Sequence, residues 1–373
     1  MMFLPALTIM FYKWIDKTKH KPLLPSIPHV GKNLSKFRIP ALVIVMILIV
    51  PAFLGQSQTN FLYGTGENPE HTRAGSDAII IEEAFGKFTP VVLLVPNGDI
   101  AREAELVQDL HDLDHVKSII SYVNTVGAAI PPEYLDDSVT EQFFSENYSR
   151  IILNTTTDTE GDEAFAFVED VKAITANYYG DNYHALGENV TLHDMKNIVE
   201  KDNTVVNSLT VITIAFVLLV TFRSISIPVV LLLTIQSAVW INLSVPYFTN
   251  SSLVYRGYLI VSTVQLAATV DYAILLTEHY KENRKEMSAK DAIKKTIDEQ
   301  IFSIGVSASI LSSVGFILWL TSTDPIVSSI GLLLGRGALL AFLLVVLFLP
   351  ALLIIFDRVI EKTTWKPNFY KRT

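Results

Sequence analysis

The segment TVVNSLTVITIAFVLLVTFRSISIPVVLLLTIQSAVWINLSVP, residues 204–246, decides the fold of this chain. It contains two apolar runs, 204–222 and 227–246, with Arg223 in the short segment between them. A helix needs roughly 20 apolar residues to cross the ~30 Å hydrocarbon core of a bilayer. The two runs therefore predict two antiparallel membrane-spanning helices joined by a tight turn.

Further apolar runs bring the predicted number of spans to six. They cover residues 37–54, 253–277 and 301–320, and a last run lies within 326–356. That last run is too long for one straight span, and the tripeptide Gly335-Arg336-Gly337 interrupts it. We therefore expect a short interfacial helix before the tripeptide and a crossing helix after it. Arg336 is expected near a membrane surface, because a central arginine costs at least ~2.5 kcal/mol.

Charged residues are distributed very unevenly along the 373-residue chain. Residues 56–203 contain 27 acidic and 8 basic residues, a net charge of −19, whereas the remainder contains 11 acidic and 21 basic residues, a net charge of +10. Cytoplasmic loops of membrane proteins retain Lys and Arg. The pattern predicts one span, a large extracytoplasmic domain and then five spans, in a multi-pass protein of the cell (plasma) membrane.

This topology divides the chain into five predicted parts. They are the end of a preceding helix with a basic cytoplasmic linker (1–36), the first span (37–54), the extracytoplasmic α/β domain (55–203), a five-span membrane domain (204–357) and a cytoplasmic tail (358–373). Within the five-span domain, residues 281–300 are amphipathic and are expected to lie along the inner membrane surface.

The extracytoplasmic segment shows an alternation of strand and helix patterns. Strands are expected at FTPVVLLVP from Phe88, at VKSIISYV from Val116, at YSRIILNT from Tyr148 and near 183–186, and helices over 100–113 and 162–178. A further helix starting near Thr191 is expected to continue into the second span. Two strand–helix–strand units predict a small α/β sandwich of ferredoxin-like, porter-type architecture.

An internal repeat links the two ends of the chain. Residues 2–21, MFLPALTIMFYKWIDKTKHK, align without gaps to residues 347–366, LFLPALLIIFDRVIEKTTWK, with 11 identities in 20 positions. Helix ends of similar composition would also give some similarity. The favoured interpretation is that residue 1 lies inside the last helix of a preceding, homologous half, since transporters commonly contain parallel repeats.

Several chemistries find no support in the sequence. The chain has no cysteine, so disulfides and thiolate metal sites are excluded. His111 and His115 have a metal-like spacing but no obvious third ligand, so we expect no metal and no cofactor. There is no P-loop, no nucleophile–base arrangement and no basic patch for nucleic acid. The expected protein is not an enzyme.

Three stretches resemble a known transporter family. They are TVDYAILLTEHYKE (269–282), GLLLGRGALLAFLLVVLFLPALLIIFD (331–357) and YHALGENVTLHDM (183–195). Together with the topology, they resemble the C-terminal half of the MMPL family of the resistance-nodulation-division (RND) superfamily. The resemblance implies a secondary transporter that exports hydrophobic or amphiphilic compounds, lipids or drugs, by proton antiport. It also implies that membrane lipids, protons and a second transporter half or a homodimer are its partners.

Asp271 is the carboxylate placed deepest in an apolar span. Such a carboxylate is costly, so it is usually paired or functional. Tyr272 points about 100° away on the helix, so the two side chains should not serve each other. The resemblance implies that Asp271 carries the proton and that Tyr272 is its partner across the two halves. A structural polar contact between helices is the alternative.

Three further residues are candidate polar neighbours of this relay: Gln265, Ser309 and Ser313. Gln265 lies seven residues before Tyr272, and the serines share a four-residue spacing with Gly305. Small residues at this spacing let helices pack closely, and serines hydrogen-bond across the contact. Ordinary helix packing explains most of these serines equally well.

Two alternatives to transport remain open at this point. The chain would be a truncated, non-transporting remnant, or a membrane scaffold whose outer domain binds partners. A sterol- or lipid-sensing role is a third reading, since related spans form sterol-sensing domains, but nothing in the sequence singles it out.

Overall fold

The computed structural model describes residues 3–17, 30–64 and 72–365 of the chain. Its helices are α1 Phe3–Lys17, α2 Val30–Ser57, α3 Arg73–Phe85, α4 Ile100–His111, α5 Tyr122–Thr125, α6 Asp137–Thr140, α7 Asp162–Tyr179, α8 Glu188–Phe222, α9 Ser226–Phe248, α10 Tyr255–Arg284, α11 Ala289–Thr321, α12 Pro325–Leu343, α13 Leu349–Ile355 and α14 Asp357–Thr363. Its strands are β1 Phe61–Leu62, β2 Thr89–Pro96, β3 Val116–Ile120, β4 Tyr148–Thr155, β5 His184–Leu186 and β6 Leu253–Val254.

Six helical segments in the described residues are long and apolar enough to cross a membrane. They are α2, α8, α9, α10, α11 and the continuous segment Pro325–Ile355, in which a π-helical turn joins α12 to α13. The predicted six spans, arranged as one plus five, are therefore confirmed, and the chain is a polytopic membrane protein.

The predicted break of the last span at Gly335 to Gly337 is wrong. The helix continues through this tripeptide, because these glycines serve close packing instead of ending the helix. A Cβ atom on Gly315 of α11 would lie 2.7 Å from the Cα atom of Gly335, and one on Gly331 would lie 2.6 Å from the backbone nitrogen of Trp319. The backbones of α11 and α12 are therefore in direct contact, which is how small residues stabilise membrane helix pairs.

Arg336 packs against a neighbouring helix. It lies 11 residues from the start of the helical segment Pro325–Ile355 and is half-buried. Its Nε donates to Oδ1 of Asn242 over 2.7 Å, and its Nη2 donates to the carbonyl oxygen of Asn242 over 2.8 Å. Polar groups of α9 therefore compensate for part of the water that the guanidinium loses in the span.

Residues 281–300, the segment predicted to be amphipathic, are divided between two long helices. They belong to the end of α10, a short turn and the first turns of the 33-residue helix α11. Ser288 caps α11, and its hydroxyl accepts from the backbone nitrogen of Asp291 over 3.3 Å. Ala292, Ile293 and Ile297 are buried in the membrane-domain core, so the apolar face of this segment is covered by protein.

The α/β domain contains a four-stranded antiparallel sheet with strand order β3-β4-β2-β5. Helices α4 and α7 cover one face of this sheet. On β2, the alternate residues Val91, Leu93 and Val95 are fully buried against them. This is the two-residue period that the sequence shows. The strands and helices predicted for this segment are confirmed.

Two connections join the α/β domain to the membrane helices. Helix α8 runs without interruption from Glu188 through the second span, as the sequence predicts. Strand β1, which follows α2, pairs in parallel with β6, which precedes α10. Next to this pair, the rings of Tyr63 and Tyr255 stack with centroids 5.2 Å apart. The start of α10 is therefore held by residues from both regions.

Candidate functional site

Asp271 lies near the middle of α10. It is 16 residues from the first residue of the helix and 13 from the last, about 24 and 20 Å at 1.5 Å per residue. The side chain is exposed at the surface of the chain. No hydrogen bond or ion pair to Asp271 is formed within residues 3–17, 30–64 and 72–365. A carboxylate at this depth is thus left uncovered by its own chain.

Tyr272 points the other way, into the membrane-domain core. It is 8% exposed and packs among buried residues such as Ala273 and Leu276. Neighbouring positions of a helix are separated by 100°. The geometry agrees with the sequence-based expectation that Asp271 and Tyr272 do not serve each other within one chain.

Gln265 belongs to a different polar cluster, which lies one and a half turns before Asp271. It is 2% exposed, and its Oε1 accepts from Nδ2 of Asn242 over 2.7 Å. The same Nδ2 donates to the carbonyl oxygen of Leu333 over 3.0 Å. Together with Arg336, these groups form a hydrogen-bonded polar node between α9, α10 and α12. Asp271 makes no bond to it.

Gly337 makes this polar node possible. A Cβ atom there would lie 2.6 Å from Oε1 of Gln265 and 2.7 Å from Nδ2 of Asn242. Sequence reasoning missed Asn242, although an asparagine within an apolar span is itself a signal. The node links α9 and α12 to α10, the helix that carries Asp271.

The serines of α11 lie on two different sides of that helix. Ser309 and Ser313 are exposed, and neither forms a hydrogen bond with Asp271 in the described parts of the chain. Ser312 is buried instead, and its hydroxyl donates to the carbonyl oxygen of Gly335 over 2.9 Å. The serine that bonds to another helix is therefore not one of the two candidates.

We call the exposed sides of α10 and α11 together the α10/α11 face. Its small and polar members are Thr263, Ala267 and Asp271 of α10 and Ser303, Ser307, Ser309 and Ser313 of α11. Its apolar members include Ile260 and Val264 of α10 and Ile310, Val314 and Ile317 of α11. Small and polar residues are typical of contacts between membrane helices.

A groove of about 750 Å³ lies on another side of the membrane domain, between α2, α8, α9 and α10. Its lining is uncharged and mostly apolar. It consists of Gln56, Asn207, Ser208, Val211, Ile212, Val229, Leu232, Leu233, Gln236, Val239, Trp240, Leu243, Tyr258 and Ser262. All the polar members except Gln236 lie beyond, or in the half nearest the α/β domain of, the predicted spans 37–54, 204–222 and 253–277. The groove thus has a polar end and an apolar body.

The opposite end of α10 carries a buried ion pair. Nη2 of Arg284 lies 2.9 Å from Oδ2 of Asp357, and the two side chains are 11% and 13% exposed. The hydroxyl of Tyr280 donates to the same carboxylate over 2.7 Å. The pair fixes α14 against α10. Nearby, Nδ1 of His279 lies 3.8 Å from Oε2 of Glu282, and Glu278 is exposed, as at a solvated helix end.

Comparison with known proteins adds one finding to this geometry. The model of the MMPL family matches residues 96–372, which extend from the end of β2 to the end of the chain and include Asp271, the polar node and most of the groove lining. No curated protein matches the chain.

Proposed function

The chain belongs to the MMPL family, and on this premise we propose that it is one half of an RND-type transporter driven by the proton motive force. Proteins of this family are transporters, not enzymes. The proposed activity is the export of hydrophobic or amphiphilic compounds, lipids or drugs, across the cell membrane. The single observation that carries the proposal is the uncovered carboxylate of Asp271 in the middle of a span.

The position of Asp271 is the argument for a second half. Intramembrane carboxylates face a bundle interior or a water-filled cavity, because hydrocarbon is a very poor solvent for charge. Asp271 instead lies on an outer surface of this chain. A homologous half or a second copy of the chain, packed on the α10/α11 face, would convert that surface into an interior.

In the assembled transporter, Asp271 would take up and release the transported proton. One charge crossing the membrane supplies ~2.3 kcal/mol per 100 mV. The family resemblance assigns Tyr272 to the same relay. Since its ring is buried in its own half, the proposal requires the second half to approach closely, or α10 to rotate, before Tyr272 reaches a carboxylate across the interface.

We assign the substrate to the groove between α2, α8, α9 and α10. Its lining extends along α9 from Val229 to Leu243, which is about 21 Å at 1.5 Å per residue. A hydrocarbon tail fits the apolar body of such a groove. The polar end, with Gln56, Asn207 and Tyr258, suits the head group of an amphiphile.

The α/β domain is proposed to act as the porter domain. Its strand order β3-β4-β2-β5 and its two helices on one face support a ferredoxin-like arrangement. Because this domain and the start of α10 share the aromatic contact of Tyr63 with Tyr255, a movement of α10 would be transmitted to it.

The test is proton-coupled transport in proteoliposomes that contain the full chain. Ethidium serves as the lipophilic substrate under an imposed pH gradient, and the native protein is compared with Asp271→Asn. Glu282→Gln is the matched control, since this exposed carboxylate lies on the same helix, 11 residues further on. We expect gradient-dependent dye movement in the native protein and the control, and none in Asp271→Asn.

A native protein that moves no dye is next tested against a panel of fluorescent lipids. If it moves none of these either, alone or with a first-half partner, the scaffold interpretation replaces transport. Equal transport by the native protein and Asp271→Asn would remove Asp271 from the mechanism and leave the family assignment intact.

A further inference from the structure

Helix α3 of the α/β domain exposes a large apolar surface. Among its 13 residues only Gly75 is buried. Ile80 is 61% exposed, Ile81 59% and Phe85 76%. A helix of this length is only marginally stable on its own in water, and helices in proteins are stabilised mainly by packing of an apolar face. Helix α3 therefore needs a surface that the described parts of its own chain do not supply.

The sheet of the same domain has one open face. Helices α4 and α7 cover the other face, and on the open side one aliphatic residue from each strand forms a row. The strand registers align Ile120 with Ile152, Ile152 with Val92, and Val92 with Leu186. Ile120 and Leu186, at the two ends of the row, are 44% and 47% exposed, and Ile152 and Val92 between them are half-buried. We call this row the aliphatic row. It crosses three strand spacings, about 14 Å.

The charges beside these two apolar surfaces are complementary. On α3, the acidic residue Glu82 is exposed next to Ile81. On the sheet, the row adjacent to the aliphatic row contains Arg150, which is aligned with Leu94 and is also exposed. Neither of these two side chains forms an ion pair within the described residues. Complementary charges of this kind set orientation in an interface.

Helix α3 does not lie on the open face of its own sheet. It ends at Phe85, and three residues later the chain enters β2. Nζ of Lys117 on β3 donates to the carbonyl oxygen of Phe85 over 3.2 Å, and Lys87 forms an ion pair with Asp158. These contacts fix the end of α3 at one end of the sheet, and its isoleucines stay exposed.

We propose that α3 docks on the open sheet face of a second copy of this chain, with Ile80, Ile81 and Phe85 on the aliphatic row. In a twofold pair each copy would donate one helix and receive one, which makes the interface self-complementary. The inference rests on the part of the proposed function that pairs two copies. It adds the contact that holds the two α/β domains together.

Disulfide cross-linking tests the proposal directly, because the natural chain has no cysteine. Two differently tagged full-length chains are co-expressed in membranes, one with Ile81→Cys and the other with Ile120→Cys or Leu186→Cys. After mild oxidation we expect a covalent heterodimer at twice the 41.6 kDa chain mass. In the matched control, the second chain carries Gln108→Cys instead. Gln108 is an exposed residue of α4, on the opposite side of the sheet.

The heterodimer should form with the two sheet positions and at least tenfold less with the α4 position. Equal cross-linking at all three positions would indicate random collision and overturn the proposal. A chain that carries both Ile81→Cys and Leu186→Cys and closes a disulfide within the monomer would place α3 on its own sheet, which also overturns it. So would the absence of any cross-link. None of these outcomes depends on dye transport, so failure here leaves the transport proposal standing.

Discussion

Two exposed surfaces of the membrane domain differ sharply in chemistry. On α8, the exposed side chains include Val205, Leu209 and Phe216, each more than 60% exposed. The α10/α11 face is equally accessible in the single chain, but it contains Asp271 and a set of serines. Hydrocarbon accommodates the apolar surface of α8 without cost. On the α10/α11 face, a charged group in contact with hydrocarbon would cost a few kcal/mol. We infer that α8 faces lipid and that the α10/α11 face is covered by protein.

The opposite side of α11 shows what small residues do once they are covered. There Gly315 lies in backbone contact with Gly335, and Ser312 bonds to the carbonyl oxygen of that same glycine. Both helices thus use small side chains for close approach. The exposed serines of α11 are equally small, but no helix packs against them within residues 3–17, 30–64 and 72–365, which is the structural reason for expecting a partner there.

The largest expected effect concerns the side of α11 that packs against α12. Gly315→Leu would place side-chain atoms where the backbone of α12 now lies, so the α11–α12 pair has to separate. Overpacking of this kind costs ~1–3 kcal/mol or more, and we expect loss of folded protein in detergent, measured by size-exclusion chromatography. Gly305→Ala is the control on the same helix, since its Cβ would meet the Phe342 ring at 3.5 Å, an ordinary contact. Unchanged folding of Gly315→Leu would contradict the backbone contact.

A smaller effect should separate the two exposed surfaces. Ala267→Trp adds a large side chain to the α10/α11 face, one turn before Asp271, whereas Leu209→Trp adds one to α8. Ala267→Trp should weaken assembly with the other half of the transporter by ~1–3 kcal/mol. At a limiting amount of protein, this corresponds to a loss of about five- to 150-fold in gradient-driven dye transport. Leu209→Trp should leave transport within twofold, because lipid adapts to the added ring.

Both tryptophan variants should reach the membrane in equal amounts, and the yield of folded monomer checks this. The comparison would fail if Leu209→Trp impaired transport as much as Ala267→Trp. Such a result would mean that α8 is also covered by protein.

The sequence predicts the apolar spans well because each span has to satisfy its backbone internally and has to be long enough to cross the bilayer. It also predicts the strands of the α/β domain, where the two-residue period of β2 follows from one covered face. It fails at the glycines that flank Arg336. There, hydropathy alone cannot show that Asn242, distant in sequence, solvates the guanidinium, or that a glycine pair serves packing instead of ending a helix.

The candidate site is predicted only in part for a related reason. The depth of Asp271 follows from its position in an apolar run, and the 100° step explains why Tyr272 faces elsewhere. Which serine of α11 bonds to a neighbour depends on the rotation of that helix against α12. The glycines of both helices determine this rotation, and no run of apolar residues encodes it.

The smallest effect concerns an acid that the chain covers by itself, in contrast to Asp271. Glu103 of α4 is 3% exposed, and its Oε2 accepts from the hydroxyl of Ser149 over 2.6 Å. Burial raises the pKa of the Glu103 carboxyl above its ordinary value of 4.5, and the hydrogen bond from Ser149 offsets only part of this rise. Folding therefore favours the protonated acid.

The sign of the resulting pH dependence follows from this raised pKa. Glu103 contributes its full stability below pH 4.5, and the contribution is lost as the pH rises from there through the folded-state pKa. Glu103→Gln stays neutral throughout, so its stability relative to the native protein should increase over that window by about 1.4 kcal/mol per unit of the pKa rise. Hydrogen exchange of α4 amides in the full chain, corrected for intrinsic exchange rates, measures this difference, with the exposed Glu105→Gln as control. A difference that stays constant with pH would show that folding does not raise the pKa of Glu103 and would contradict its burial without water.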